Sequence, residues 1–401
     1  CLSRGVGDVY KRQLFSFAQE VIMKKILILA LGMFSLGMDT YIVAGLIPEM
    51  SRSLNQSSTA IGQGVTIFTL VFAISAPLFS IFLAKINVKQ TLIFALIIFI
   101  FANIMTSLAV NLPIYLLARA IAGLGAGIFS PMAVSTGSQL VENKNRGKAL
   151  ATVVGGLSIG TVIGVPLGIQ ISNLSSWRVT LLFIVLISTL TCVLIAIHFR
   201  AIFAPTPPSI KERFKLFIHP HIIRIMTVTV CAAIASLGLY TYLSKIVEHY
   251  QSIYSLTTYL MLWGIGGLIG SFSIGFIIDM FKFTNLIVLS IMILLLFSFI
   301  LLPISIHTPI ASCLPFLLWG AMGWATQAPQ QHILIKNYKS YGETAVALNS
   351  SVNYLGSSIG SALCGSLLFI THNINMLVYL SIFICGIGLL VQLTNILINK
   401  K

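Results

Sequence analysis

The sequence predicts an all-α membrane protein: twelve transmembrane helices arranged as two pseudo-symmetric six-helix bundles. Three observations predict it. Hydrophobic residues make up 57% of the chain and charged residues 8%, where a soluble domain carries roughly a quarter charged residues. Such a chain cannot cover itself with polar surface in water, so the bilayer is its solvent. Apolar runs long enough to cross about 30 Å of hydrocarbon recur in two groups of six, separated by one basic, Pro-rich stretch. The two groups also resemble each other in sequence.

Residues 1–22 lack an initial Met and read as a non-native or disordered extension, with Met23, Lys24 and Lys25 as the expected start. The first six runs fall near 25–47, 60–84, 90–110, 112–138, 149–171 and 179–199, within an N-terminal bundle spanning 23–199. Residues 200–220, "RAIFAPTPPSIKERFKLFIHP", read as a cytoplasmic linker. The second six fall near 221–246, 256–280, 285–303, 309–333, 344–370 and 374–398, within a C-terminal bundle spanning 221–401. Several runs exceed the minimum length, so tilted helices are expected.

Internal repetition supports the division. "GMDTYIV" (37–43) aligns with "GLYTYLS" (238–244), in the first and seventh runs. "GLSIGTVIG" (156–164) aligns with "GSSIGSALC" (356–364), in the fifth and eleventh. The two offsets are almost equal, as duplication of a six-helix unit requires.

Basic residues orient the chain. One side collects Lys24, Lys25, Lys85, Lys89, Lys144, Arg146, Lys148, Arg200, Lys211 and Lys282, among others; the other collects Arg52, Arg178 and Lys245. Both termini are therefore expected in the cytoplasm, in a multi-pass protein of the inner membrane. This topology accounts for the net charge of +15, and no nucleic-acid partner is inferred from it. Cys192, Cys231, Cys313, Cys364 and Cys385 sit in apolar runs and read as small hydrophobes. There is no phosphate-binding Gly-Lys-Ser/Thr motif, metal cluster or nucleophile triad. No cofactor, metal or enzymatic activity is expected, and the chain is read as a monomer.

A charge inside a bilayer is expensive and marks function. Asp39 interrupts the first run about 12 Å below the outer surface at 1.5 Å per residue, and Arg119 in the fourth run lies at similar depth. They are expected to face each other, either with Asp39 binding a proton or a cationic solute beside Arg119, or as a static ion pair that fixes packing. Gly156, Gly160, Gly164 and Gly168 form a four-residue ladder in the fifth run, with Pro166 beside it. Small residues let helices approach closely and proline kinks them, so packing with gating implied is expected there and at Gly360. Tyr41, Tyr240, Tyr242, Trp263, Trp319, Gln327, Asn349 and Asn353 are candidate solute contacts, set against interfacial anchoring and interhelical hydrogen bonding. His332 reads as interfacial.

Several motifs resemble those of the major facilitator superfamily, and within it the twelve-helix drug–proton antiporter family and its arabinose-efflux-permease-like bacterial members. "GMDTYIVAGLIPEMSRSL" is similar to their acidic residue followed by Gly-Leu-Leu-Pro-Glu. "LLARAIAGLGAG" resembles the Arg-x-x-x-Gly-x-Gly motif, and "GGLSIGTVIGVPLG" followed by "SWRVT" resembles the antiporter motif with its Trp-Arg tail. The likeness runs from about Met23 to the end. The loop after the second run departs from it: "SIFLAKINVKQTL" keeps Lys85 and Lys89 but lacks the acid and glycines, whereas "GFIIDMFKF" keeps Gly275, Asp279 and Lys282.

The resemblance implies two bundles rocking about a midplane site, with Asp39 and Arg119 on cavity-lining helices. The expected function is secondary active export of a small organic solute in exchange for protons. The alternatives are an uncoupled facilitator of a sugar or nucleobase, and a non-transporting sensor on the same scaffold. A sensor would be expected to add a soluble domain, and the connections here are short.

Overall fold

The computed structural model describes the backbone of residues 2–82, 87–142, 145–200, 219–281, 283–338 and 342–398, with side chains in those ranges except 2–19, 80–82 and 343. Lys85, Lys144, Lys211 and Lys282, and nearly all of the linker, lie outside the described residues. In chain order the N-terminal half contains α1 (Leu2–Leu54), α2 (Ser58–Phe82), α3 (Val88–Ser107), α4 (Leu112–Gln139), α5 (Arg146–Ile159), α6 (Val165–Leu174) and α7 (Trp177–His198). The C-terminal half contains α8 (Pro220–Thr241), α9 (Leu243–His249), α10 (Leu256–Met280), α11 (Thr284–Ser305), α12 (Cys313–Ala325), α13 (Gln327–Asn337), α14 (Gly342–Thr371) and α15 (Asn375–Ile398). No strand occurs among the described residues.

Helix starts follow side chains that satisfy free backbone donors. Asn87 accepts from the N–H of Lys89, Asn111 from Ile114, Ser176 from Arg178 and Ser255 from Thr258. The first helix is helical from Leu2, through the stretch read as an extension.

Among the described residues eleven helices are long and apolar enough to cross a membrane. The tenth run, expected as one helix, is built from two shorter ones, α12 and α13, which meet at Thr326. Pro329 explains the break, because it cannot donate to the Ala325 carbonyl one turn back and its ring crowds that oxygen. α5 and α6 are joined by a π-helical turn, Gly160–Gly164. Pro166 follows two residues after the turn, and the wider turn accommodates its missing donor.

The two halves repeat one packing scheme. In the first half α1 packs on α5 and α7, α4 on α2 and α3, and α3 on α7. In the second α8 packs on α14 and α15, α12 on α10 and α11, and α11 on α15. The aligned glycines make corresponding approaches. A Cβ on Gly160 would collide with the Phe34 carbonyl of α1, and one on Gly360 with the Ile234 carbonyl of α8. Large apolar side chains face outward along the spans, among them Phe101, Leu186, Ile269, Phe297 and Phe383, as a lipid-facing surface requires.

The halves meet along two equivalent seams, α2 against α14 and the α5–α6 region against α10. On the first, Thr66 Oγ1 donates to Ser361 Oγ at 3.0 Å, Ser358 Oγ donates to the Thr66 carbonyl at 2.9 Å, and Phe72 stacks on Tyr354 at 3.8 Å. On the second, a Cβ on Gly264 would come within 3.0 Å of Val162 in the π turn. These contacts run from the face carrying the 55–57 connection to the middle of the membrane. Nearer the linker face, positions on the same helices are open, since a Cβ at Gly155 or Gly275 would meet nothing within 4 Å.

Candidate functional site

Asp39 and Arg119 meet inside the N-terminal half, and neither side chain has any exposure. Arg119 Nη1 donates to both carboxylate oxygens of Asp39, at 2.9 and 3.0 Å, and Nη2 approaches the Asp39 carbonyl at 3.5 Å. The guanidinium lies over the Phe68 ring, 4.4 Å from its centroid. One turn earlier on α4, Tyr115 donates to the Ile61 carbonyl at 3.1 Å and ties α4 to α2. Arg119 Nε makes no hydrogen bond among the described residues. The equal depths read from the sequence thus correspond to a direct pair. In hydrocarbon such a pair holds only while both members stay matched, because either one alone is an uncompensated buried charge.

The residues after Asp39 reach the boundary between the halves. Thr40 and Tyr41 line a cavity of about 20 Å³ that is closed from the other half by Leu237, Tyr240 and Tyr354. That volume holds about one water molecule, so an organic solute enters only if the halves separate. Aromatic rings fill the surroundings. Tyr41 packs edge-on against Tyr240 at 5.5 Å, Tyr240 lies 4.3 Å from Trp263, and Trp263 lies 5.6 Å from Trp324 and 6.4 Å from Trp319. Trp319 is held in turn by a 2.7 Å hydrogen bond from its Nε1 to Ser236 Oγ.

Of the eight solute candidates, Tyr41, Tyr240, Trp263 and Trp319 come together here. Tyr242 packs instead over Gly62 and Gly365, nearer the 55–57 connection. Asn349 is buried inside the second half, donating to Thr229 Oγ1 at 2.7 Å, and Thr229 donates to Gln330. Gln327 accepts from Gln331 within its own helix, and Asn353 is half-buried on α14. His332 is exposed, as an interfacial residue would be. The sequence reading missed Trp324 and Tyr354. Tyr354 directly follows Asn353, and one helical residue turns the face by about 100°, so the candidate chosen lies beside the one that reaches the cavity.

The glycine ladder faces α1. A Cβ on Gly156 would strike the Ala30 carbonyl, one on Gly164 would lie 3.1 Å from Met38, and one on Gly168 2.6 Å from the Met38 methyl. The close packing expected at the ladder is thus made against α1 of the same half. The ladder fastens α5 and α6 within their own half, and the face turned to the other half carries Val162. Pro166 sits just beyond the π turn, in the first turn of α6.

Glu49 was quoted in the sequence only as part of a motif, yet it binds three helices together. It accepts from the Ser172 hydroxyl and, at 3.1 Å, from the Trp177 N–H at the start of α7, where the helix dipole favours a carboxylate. Arg178 stacks on Trp177 and donates to Ser53 Oγ and the Ala109 carbonyl, both at 2.8 Å. The Pro-Glu and Trp-Arg motifs are therefore two sides of one clasp.

Two pseudo-symmetric helical halves in a membrane, joined along paired seams around a midplane cavity, define a class of solute transporter. The profile of the Major Facilitator Superfamily matches residues 29–361, and the chain belongs to that family. It is 27% identical over 343 residues to the uncharacterized MFS-type transporter YbcL of Bacillus subtilis, covering 85% of this chain and 88% of that one. It is 24% identical over 372 residues to the inner membrane transport protein YdhP of Escherichia coli, covering 91% and 94%. It is 24% identical over 353 residues to the putative transporter AraJ of Escherichia coli, covering 86% and 88%.

Proposed function

We propose that this transporter exports a small organic solute across a bacterial inner membrane in exchange for protons, acting as a monomer with both termini in the cytoplasm. The observation that carries the reading is the fully buried Asp39–Arg119 pair, one residue away from the cavity between the halves. A carboxylate in that position must be neutralised, either by Arg119 or by a proton. Burial penalises its ionised form and the guanidinium stabilises it, so the two influences oppose each other. A conformational change that weakens either one moves a proton on or off. When Asp39 is protonated, Arg119 loses its partner, and α4 feels that loss beside the seam. Proton binding is thereby tied to the packing that holds the halves together.

The alternation itself is assigned to the two seams. Thr66, Ser358 and Ser361 latch one and Val162 with Gly264 packs the other, and both open when the halves rock. The π turn above Pro166 supplies the bend that α5 and α6 need at that contact.

The test is uphill export in everted vesicles under an imposed proton gradient. Asp39→Asn removes the titratable group and keeps the shape, so gradient-driven accumulation is expected to vanish while downhill exchange of a neutral solute persists. Uphill export with an unaltered pH profile would make Asp39 a packing residue and put the coupling group elsewhere, whereas a parent protein with no gradient-driven accumulation would favour an uncoupled facilitator.

A further inference from the structure

We propose that the solute is an uncharged, planar aromatic molecule bearing hydrogen-bonding groups, gripped between Tyr41 of one half and Tyr240, Trp263, Trp324 and Tyr354 of the other. This rests on the transport reading above and names the chemistry of its cargo.

Charge is the first argument. The side chains lining the cavity include four hydroxyl-bearing Ser and Thr residues and three Tyr, with no carboxylate and no amine. The two carboxylates that flank the cavity residues in the sequence of α1 are both engaged away from the cavity, Asp39 by Arg119 and Glu49 by Ser172 and the Trp177 N–H. An organic cation entering this space would find no free opposite charge. The ring faces would return about 0.5–2 kcal/mol of cation–π attraction. The loss of hydration costs several kcal/mol per ion, so the balance favours a neutral solute.

Shape is the second. The rings now occupy one another across the boundary. Tyr41, from α1, touches Tyr240 of α8 at 5.5 Å, Trp263 of α10 at 5.6 Å and Trp324 of α12 at 6.3 Å. When the halves part, these faces are uncovered together and lose their partners. A flat ring is the group that replaces a ring with least loss, because it restores offset or edge-to-face packing worth about 0.5–1.5 kcal/mol per pair. The hydroxyls of Thr40, Thr241 and Ser357 sit round the same space and can meet polar substituents at the solute's edge.

Three of the chain's four tryptophans, Trp263, Trp319 and Trp324, belong to this cluster, so intrinsic fluorescence reports on it directly. The probes are para-nitrobenzyl alcohol and para-nitrobenzyltrimethylammonium, which share one quenching ring and differ in charge. They are titrated into the purified protein in detergent. Saturable quenching by the alcohol is expected, at least about tenfold tighter than by the ammonium. Tyr240→Leu, or Trp324→Leu should the first variant unfold, is expected to weaken it about tenfold. Ammonium binding as tight as the alcohol's, quenching that neither saturates nor responds to the variants, or no quenching by either probe would overturn the proposal. The titration needs no gradient. Failure of proton coupling therefore leaves it unchanged, and a cation-selective result leaves the coupling test standing.

Discussion

Asp39 and Tyr240 occupy matching positions of the duplicated unit, in "GMDTYIV" and "GLYTYLS", yet their surroundings have little in common. The first is a charge matched by Arg119 and sealed inside the N-terminal half. The second is a neutral ring that packs on Tyr41 and Trp263 at the boundary. The scaffold around them is the same: α1 on α5 beside α8 on α14, with a glycine at each crossing. Once backbone packing is provided by the repeat, one copy can spend its midplane position on an ion pair and the other on rings. We read the first half as the coupling half and the second as contributing most of the recognition surface.

The comparison is broken most severely by Arg119→Ala. It strands a buried carboxylate, and removing one member of such a pair costs about 3–5 kcal/mol. Thermal unfolding in detergent should show a protein much less stable than the parent, whereas Tyr240→Phe, which keeps the ring, should unfold nearly as the parent does. Combining Arg119→Leu with Asp39→Leu removes both charges and should restore most of the stability while leaving uphill export absent. If Arg119→Ala unfolds as the parent does, the pair contributes nothing to the stability of the first half.

The glycine crossings are where the halves should behave alike. Ala at Gly160 or at Gly360 places a methyl against a carbonyl of the facing helix, and overpacking of this kind costs about 1–3 kcal/mol. Gly155→Ala has open space around it and serves as the matched control, expected to be neutral or slightly stabilising. A tolerant Gly360 beside an intolerant Gly160 would show that the repeat no longer constrains the second half.

The fold could be read from the sequence because the bilayer imposes a coarse rule: apolar runs of sufficient length, and basic loops on one side. The Asp39–Arg119 pair could be read because charges in such runs are rare enough to be matched by depth. The aromatic site was only half visible. Tyr and Trp are common at membrane interfaces, and sequence position does not say which face of a long helix meets the other half, so Tyr242 was grouped with Tyr240 and Tyr354 was passed over for Asn353. The break at Thr326 needed knowledge of where Pro329 falls relative to the packing of α12 and α13. Glu49 was hidden because its partners, Ser172 and the Trp177 backbone, lie more than a hundred residues away.

Glu49 provides a smaller test of the first half. Glu49→Gln keeps the shape but removes the charge at the start of α7 and weakens the bond to the Trp177 N–H. A charge-assisted bond is about twice as strong as a neutral one, so a loss of roughly 1 kcal/mol is expected by thermal unfolding, with substrate affinity unchanged. A change in affinity without a change in stability would place Glu49 in the transport path instead of the clasp.

The smallest expected effect lies on the seam that joins the halves. Thr66→Val keeps the volume and deletes the donor to Ser361, while Ser358 still reaches the Thr66 carbonyl. The net worth of one such bond is about 1 kcal/mol, too little to unfold the protein but enough to shift a two-state equilibrium about fivefold. The shift has a direction, because this bond exists only while α2 and α14 are together on the side of the 55–57 connection. Its loss favours the state in which that side is open. A cysteine placed at Gln63, which neighbours Gly365 across the seam, should react about fivefold faster with a water-soluble maleimide in the Thr66→Val background. Unchanged labelling would mean that ring packing, Phe72 on Tyr354, holds this seam, and the next substitution to make would be Phe72→Leu.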